Sequence, residues 1–134
     1  MHAFHLERRM TSMLGGFYPT GHLFIMLPSR QHVERAEALL DRCGCDCAGV
    51  SLLSPQDVQD VMHLFDGHDL LLPSVGTEED TCRHFAELAL RGHHALLVPA
   101  PNAQVVERIM EALRDVDVSC AVRYRHFVIE DLVV

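Results

Sequence analysis

Short apolar runs along this chain alternate with longer segments in which apolar residues recur every three or four positions, the pattern of strands exchanging with amphipathic helices. Leu23 to Leu27 is wholly apolar, as expected of a strand covered on both faces. Ser29 is placed to cap a following helix, in which Val33, Ala36, Leu40 and Cys43 form one stripe while Arg35, Asp41 and Arg42 face water. Gly44 suits a left-handed helix end, and a second strand resumes over residues 49–53. Two further helices are predicted next. Ser54-Pro55-Gln56-Asp57 reads as a capping start ahead of Val58, Val61, Met62 and Phe65, with Gly67 as the stop. Thr77-Glu78-Glu79-Asp80 opens the other, whose acidic first turn suits the positive end of the helix dipole and whose buried stripe is Cys82, Phe85, Ala86 and Ala89. A strand over 94–99 then leads into a helix from Pro101 to Asp115, with Val105, Val106, Ile109, Met110, Leu113 and Val116 inward. Val118, Cys120, Val122 and Tyr124 alternate with Ser119, Arg123 and Arg125, which predicts a strand with one wet face. The apolar stretches 127–129 and 132–134 predict one more.

The order repeats. Gly21-His22 opens an apolar run closed by Pro28, and Gly92-His93 opens another closed by Pro99, 71 residues later. Glu37-Ala38-Leu39-Leu40-Asp41 is echoed by Glu111-Ala112-Leu113-Arg114-Asp115. Shared order and shared predicted structure point to an internal duplication. The expected fold is therefore α+β and ferredoxin-like: duplicated βαβ units, an antiparallel sheet with helices on one face, and a two-helix insertion between the halves. In that division residues 1–20 are an N-terminal tail and 21–134 a single domain. Its parts are 21–53 as the first βαβ, 54–92 as the helical connection, and 93–134 as the second βαβ plus a C-terminal strand.

Composition narrows the function. A chain of 134 residues with 49% apolar and 22% charged residues is expected to build one core. Net charge is -8, and all 11 basic residues are Arg. Without Lys there is no Schiff-base amine and no phosphate-loop Lys. An acidic chain lacking a basic stripe is a poor match for nucleic acid, whose nonspecific binding comes from phosphate neutralisation. No apolar run approaches the roughly 20 residues of a membrane span, and Met1 to Gly16 holds too many charges for a signal peptide. The expectation is a cytoplasmic protein with no membrane partner, and its five Cys are read as reduced thiols.

Gly76-Thr77-Glu78-Glu79-Asp80, its amphipathic helix, Arg91-Gly92, and the apolar strand, helix and strand that follow resemble the bacterial general-stress-protein (heat-induced stress protein) domain. The likeness covers roughly residues 20 to 125. Many members carry a Gly-rich, membrane-like segment between the copies, which this chain lacks, and it adds Cys and His that the pattern does not require. The resemblance implies a duplicated fold and a stress-linked role. It supplies no catalytic residues.

The sharpest chemical signal is Cys43-Gly44-Cys45-Asp46-Cys47. Cys43, Cys45 and Cys47 could chelate a soft metal, Zn or Cu(I), or exchange disulfides, if Gly44 turns the backbone so that the sulfurs converge. The spacing differs from the Cys-x2-Cys pairs of common zinc modules. In an extended segment, alternate side chains stand about 6.5 Å apart, too far to share a metal. The competing reading leaves Cys43 in the helix stripe, Cys47 in the strand and Cys45 exposed. Among the histidines, His93 and His94 point to opposite faces of a strand, and His22 and His93 start antiparallel strands at opposite ends of the sheet. His63 and His84 read as surface residues, and His2 and His5 as part of a terminal tail. Glu78, Glu79 and Asp80 read as a solvated helix start, and Glu130-Asp131 as equally plain. No nucleophile elbow, dinucleotide loop or zinc-protease helix occurs in the sequence.

These observations favour a non-enzymatic regulatory or stress-associated domain, free of any required cofactor, that acts as a homodimer or through a protein partner. Leu70 to Pro73 and Leu132 to Val134 are its candidate interface. The alternative is a metal-binding or thiol-redox module built on the three clustered cysteines. A small ferredoxin-like cofactor-binding enzyme, using a His between sheet and helices, is the third reading.

Overall fold

Hydrophobic alternation along the strands of this protein feeds two cores at once, one on each face of a single sheet. In the computed structural model, residues 1–6, 10, 19–45, 49–63, 76–125 and 128–133 are described. They form β1 (His2–Ala3), β2 (His22–Leu27), α1 (Arg30–Arg42), β3 (Ser51–Leu53), α2 (Pro55–Met62), α3 (Gly76–Leu90), β4 (His94–Pro99), α4 (Ala103–Ala112), β5 (Cys120–Arg125) and β6 (Val128–Val133). The fold is mixed α+β, with a six-stranded sheet in the order β1-β3-β4-β2-β5-β6.

β2 and β4, the two apolar runs that repeat in the sequence, are direct antiparallel neighbours along their whole length, with His22 opposite Pro99 and Leu27 opposite His94. β5 pairs antiparallel with the other side of β2, and β3 pairs antiparallel with the other side of β4. Hence β2 and β3, joined through α1, run parallel with β4 between them. By the same reasoning β4 and β5, joined through α4, run parallel with β2 between them.

The helices do not share one face. Phe24, Met26, Ala95, Leu97, Val122 and Tyr124 pack with α2 and α3, whereas Leu23, Ile25, Leu96, Val98 and Ala121 pack with α1 and α4. The expectation of helices on one face therefore fails, because β2, β4 and β5 carry apolar residues at consecutive positions and a second layer is needed to cover them. The predicted wet face of β5 fails for the same reason: Ala121 is buried and Arg123 is largely covered, its side chain 16% exposed.

Cap chemistry sets the helix starts. The Ser29 hydroxyl accepts from the His32 N–H at the head of α1, and Ser54 and Asp57 form a reciprocal capping box on α2. On α4 the cap is Asn102, accepting from Val105, so Pro101 precedes the helix rather than lying in its first turn. Leu113 caps the other end, and α4 is shorter than the predicted span to Asp115. At the sheet edges, β1 pairs parallel with β3 and Phe4 N–H donates to Leu52 O at 2.9 Å, so the first residues of the predicted tail belong to the sheet. In β6 a bulge opposite Ala121 and Val122 adds one residue, and Leu132 and Val133 both rest on the α1/α4 core. That packing takes up part of the apolar surface expected at an interface. Phe65, Gly67 and Leu70 to Pro73 lie outside the described residues.

Candidate functional site

Two clusters of reactive or titratable side chains bracket α1, one at each end. At the C-terminal end the helix stops on Cys43, and Gly44 follows with φ +83, a left-handed conformation that glycine adopts without steric cost. That turn folds the chain back so that Cys43 Sγ and Cys45 Sγ lie 3.0 Å apart. Both are free thiols, and both are half-buried against the α1/α4 core. Cys43 Sγ–H donates to Leu40 O at 3.2 Å. Convergence of the thiols is conditional on a turn at Gly44, and for Cys43 and Cys45 that turn is present, whereas the separation of about 6.5 Å applies only to an extended segment. The competing reading, with Cys45 exposed, does not hold, because the turn brings Cys45 back half-buried against the core. Cys47, the third cysteine of the motif, lies outside the described residues.

The described thiols outside this pair are of another kind. Cys82 and Cys120 are buried in the α2/α3 core. Burial, and secondarily the negative charge of Asp131, pushes the Cys120 thiol up to about 11. Among the described residues there is no group of three or more His, Cys, Asp or Glu that could hold a metal.

At the N-terminal end of α1 the sheet brings together residues far apart in sequence. Leu27 ends β2 opposite His94, and Ser119 N–H donates to Met26 O at 2.9 Å, so the end of β2 and the starts of β4 and β5 share one edge. There Ser29 Oγ is 2.7 Å from His32 Nδ1, and Ser119 Oγ is 2.8 Å from His93 Nδ1. Each hydroxyl can donate to an unprotonated ring nitrogen. His93 is held below the ordinary histidine range, first by burial and then by the charges of Arg91, His32 and His94. His94 is lowered in the same way by burial and Arg30, against a weaker opposing effect of the Gly92 backbone.

Compared with known protein families, curated proteins and solved structures, the chain matches none.

The other sequence candidates are scattered. His22, whose Nδ1 lies 3.1 Å from Thr20 O, is at the far end of the sheet from His93, as antiparallel pairing predicts. His63 and His84 are exposed, and His2 lies in β1. Asp80 pairs with Arg83 at 3.2 Å. The side chains of Glu78 and Glu79 lie outside the described residues. Glu130 stands between Arg123 at 3.8 Å and Arg125 at 3.7 Å. No helix among the described residues is long and apolar enough to cross a membrane. The sequence reading did not bring Arg30, His32 and Ser119 together, because they lie near different strand ends that only the sheet register makes neighbours. The signal it passed over was a capping serine three residues ahead of a histidine.

Proposed function

We propose that this chain is a non-enzymatic regulatory domain of ferredoxin-like, duplicated build whose input is oxidation of the Cys43–Cys45 dithiol. One observation carries the reading: the two half-buried sulfurs stand 3.0 Å apart across a glycine turn. A disulfide needs about 2.05 Å, so closure asks for a sulfur movement of about 1 Å. The oxidant named here is a low-molecular-weight disulfide. One cysteine thiolate attacks a sulfur of that reagent and displaces the first reagent thiolate, leaving a mixed disulfide. The second cysteine thiolate then attacks the protein-bound sulfur and displaces the other reagent thiolate. In sum the protein loses two protons and two electrons, and the reagent disulfide becomes two thiols.

Oxidation has a structural consequence at the end of α1. Cys43 loses the proton with which it holds Leu40 O, a carbonyl that also accepts from the Cys45 N–H at 3.2 Å. The last turn of α1 is therefore the element through which thiol state reaches the core. The duplicated build is supported by the interleaved strand order, by the neighbouring β2 and β4, and by left-handed Gly21 and Gly92 at φ +80 and +89 ahead of them. A stress-linked role fits the resemblance of residues 20 to 125. Self-association or a protein partner would carry the output.

Peptide mapping after treatment with a small disulfide tests the reading. A Cys43–Cys45 bridge, two hydrogens lighter and reversed by a dithiol reductant, is expected in the wild type and in C47S, and is absent from C43S and C45S. Stable reagent adducts on both cysteines, with no bridge, would sink it. Elemental analysis of protein purified without chelator covers the same pair as a soft-metal site, since two thiolates suit Cu(I). Copper or zinc retained by wild type and lost in both variants would favour metal binding instead.

A further inference from the structure

The cleft between α4 and the β5/β6 edge of the sheet belongs to no part of the thiol reading and has its own chemistry. We propose that it binds a free α-amino acid with an aliphatic side chain, the carboxylate on Arg123 and Arg125 and the ammonium on Glu130. Arg123 and Arg125 flank Tyr124 along β5, and Tyr124 packs toward α2 and α3, so both arginines stand on the α4 side. Glu130 of β6 is opposite Arg123 in register. Asp131 also borders the cleft, yet it lies opposite Val122, a residue of the α2/α3 face, which leaves Glu130 as the β6 carboxylate on the arginines' side.

Among the described residues, two adjoining recesses share these arginines. The larger, of about 600 Å³, reaches Ala103, Val106 and Glu107 of α4 and Leu132 of β6, and the smaller, of about 240 Å³, lies against Gly21, Ala100 and Pro101. The larger falls within the size range of small-ligand sites. The Arg123 side chain is 16% exposed, and its ion pair with Glu130 is 3.8 Å long, outside the roughly 2.7–2.9 Å of a charge-assisted hydrogen bond. Glu130 also stands 3.7 Å from Arg125, so one carboxylate is shared loosely between two guanidinium groups. A largely covered guanidinium whose counter-charge lies beyond hydrogen-bond distance can take a better-placed acceptor.

The signs in the cleft select the ligand class. A simple anion set on the arginines would lie beside Glu130, and a simple cation drawn to Glu130 or Glu107 would lie beside the arginines. A molecule carrying a carboxylate and an ammonium on one carbon meets a complement for each, and it leaves the charge balance of the cleft unchanged. Its carboxylate takes the guanidinium donors, while Glu130 turns from the arginines to the ammonium. Ala103, Val106 and Leu132 supply an apolar wall for the aliphatic side chain.

Backbone-amide NMR titration of the whole chain tests this with three probes: L-leucine, 4-methylpentanoate, which lacks the ammonium, and 3-methylbutylamine, which lacks the carboxylate. Leucine is expected to shift residues 103–107, 123–125 and 130–132 saturably, and each analogue to bind about tenfold or more weakly, since each forfeits a charged hydrogen-bonded contact. R123Q should weaken leucine by a similar factor. E130Q should weaken leucine yet strengthen 4-methylpentanoate, because the competing carboxylate is gone. Absence of a saturable leucine shift up to about 20 mM overturns the proposal. So does binding of either analogue as tightly as leucine, or leucine binding unchanged in R123Q. The three wild-type titrations decide even if a variant does not fold.

Discussion

Four described thiols share one chain and two environments, and their reactivity should divide accordingly. Cys43 and Cys45 are half-buried, with their sulfurs in mutual contact at a helix end, while Cys82 and Cys120 lie within the α2/α3 core. Only the thiolate is nucleophilic, and a thiol pushed up to about 11 is ionised in about one molecule per thousand at pH 8. Iodoacetamide at pH 8 is therefore expected to modify Cys43 and Cys45 well before Cys120, which should react only once denaturant opens the core. Mass mapping over time checks this, and labelling of Cys120 in step with Cys43 would contradict it. Histidines divide in the same way. His63 and His84 are exposed, whereas His93 and His94 are partly covered and hemmed by basic neighbours.

Among the elements, α1 is the one whose end holds the thiol pair. It buries Val33, Ala36 and Leu40 against the sheet, a stripe worth several kcal/mol by apolar burial. Its N-terminus meets the basic cluster and its C-terminus carries the thiol pair. α2 shows how strongly a short helix depends on its ends. With 8 residues it is too short to persist on propensity alone, and its start is held by Ser54 accepting from Asp57 N–H while Asp57 accepts from Ser54 N–H. Ser54→Ala removes one of those bonds and should cost about 1 kcal/mol. Urea denaturation should show this as a lower midpoint at an unchanged slope, and a midpoint equal to wild type would mean that packing against α3 holds α2 without its cap.

For the molecule as a whole, stability rests on a sheet covered on both faces. Phe24 of β2 and Phe85 of α3 meet with ring centroids 4.5 Å apart, both fully buried, and join the central strand to the α2/α3 layer. Phe85→Ala is expected to cost about 3–5 kcal/mol, a large share of the roughly 5–15 kcal/mol that holds a domain together. Leu90, on the same helix but 78% exposed, is the matched control, and Leu90→Ala should stay within about 0.5 kcal/mol of wild type. Thermal and urea unfolding of the two variants separate these outcomes. Equal losses would mean that Leu90 is covered in solution, for instance by a partner.

Much of the element order was legible in the sequence. The stripe of Val33, Ala36 and Leu40, the caps at Ser29 and Ser54, and the apolar runs of β2 and β4 are local patterns, and the backbone repeats them locally as helix and strand. The pairing of those two runs was also anticipated, through their likeness to each other. The placement of α2 and α3 on the second face was not, because a continuous apolar run says that both faces are covered but not by what. The meeting of Cys43 with Cys45 was legible only as a condition, that Gly44 turn the backbone, and a single left-handed residue decides it. The basic cluster lay furthest from sight: residues near 30, 93 and 119 become neighbours only through strand register, which is set by long-range pairing and layer packing. Periodicity within the chain thus determined the pieces, and the contacts between distant segments decided where their chemistry converges.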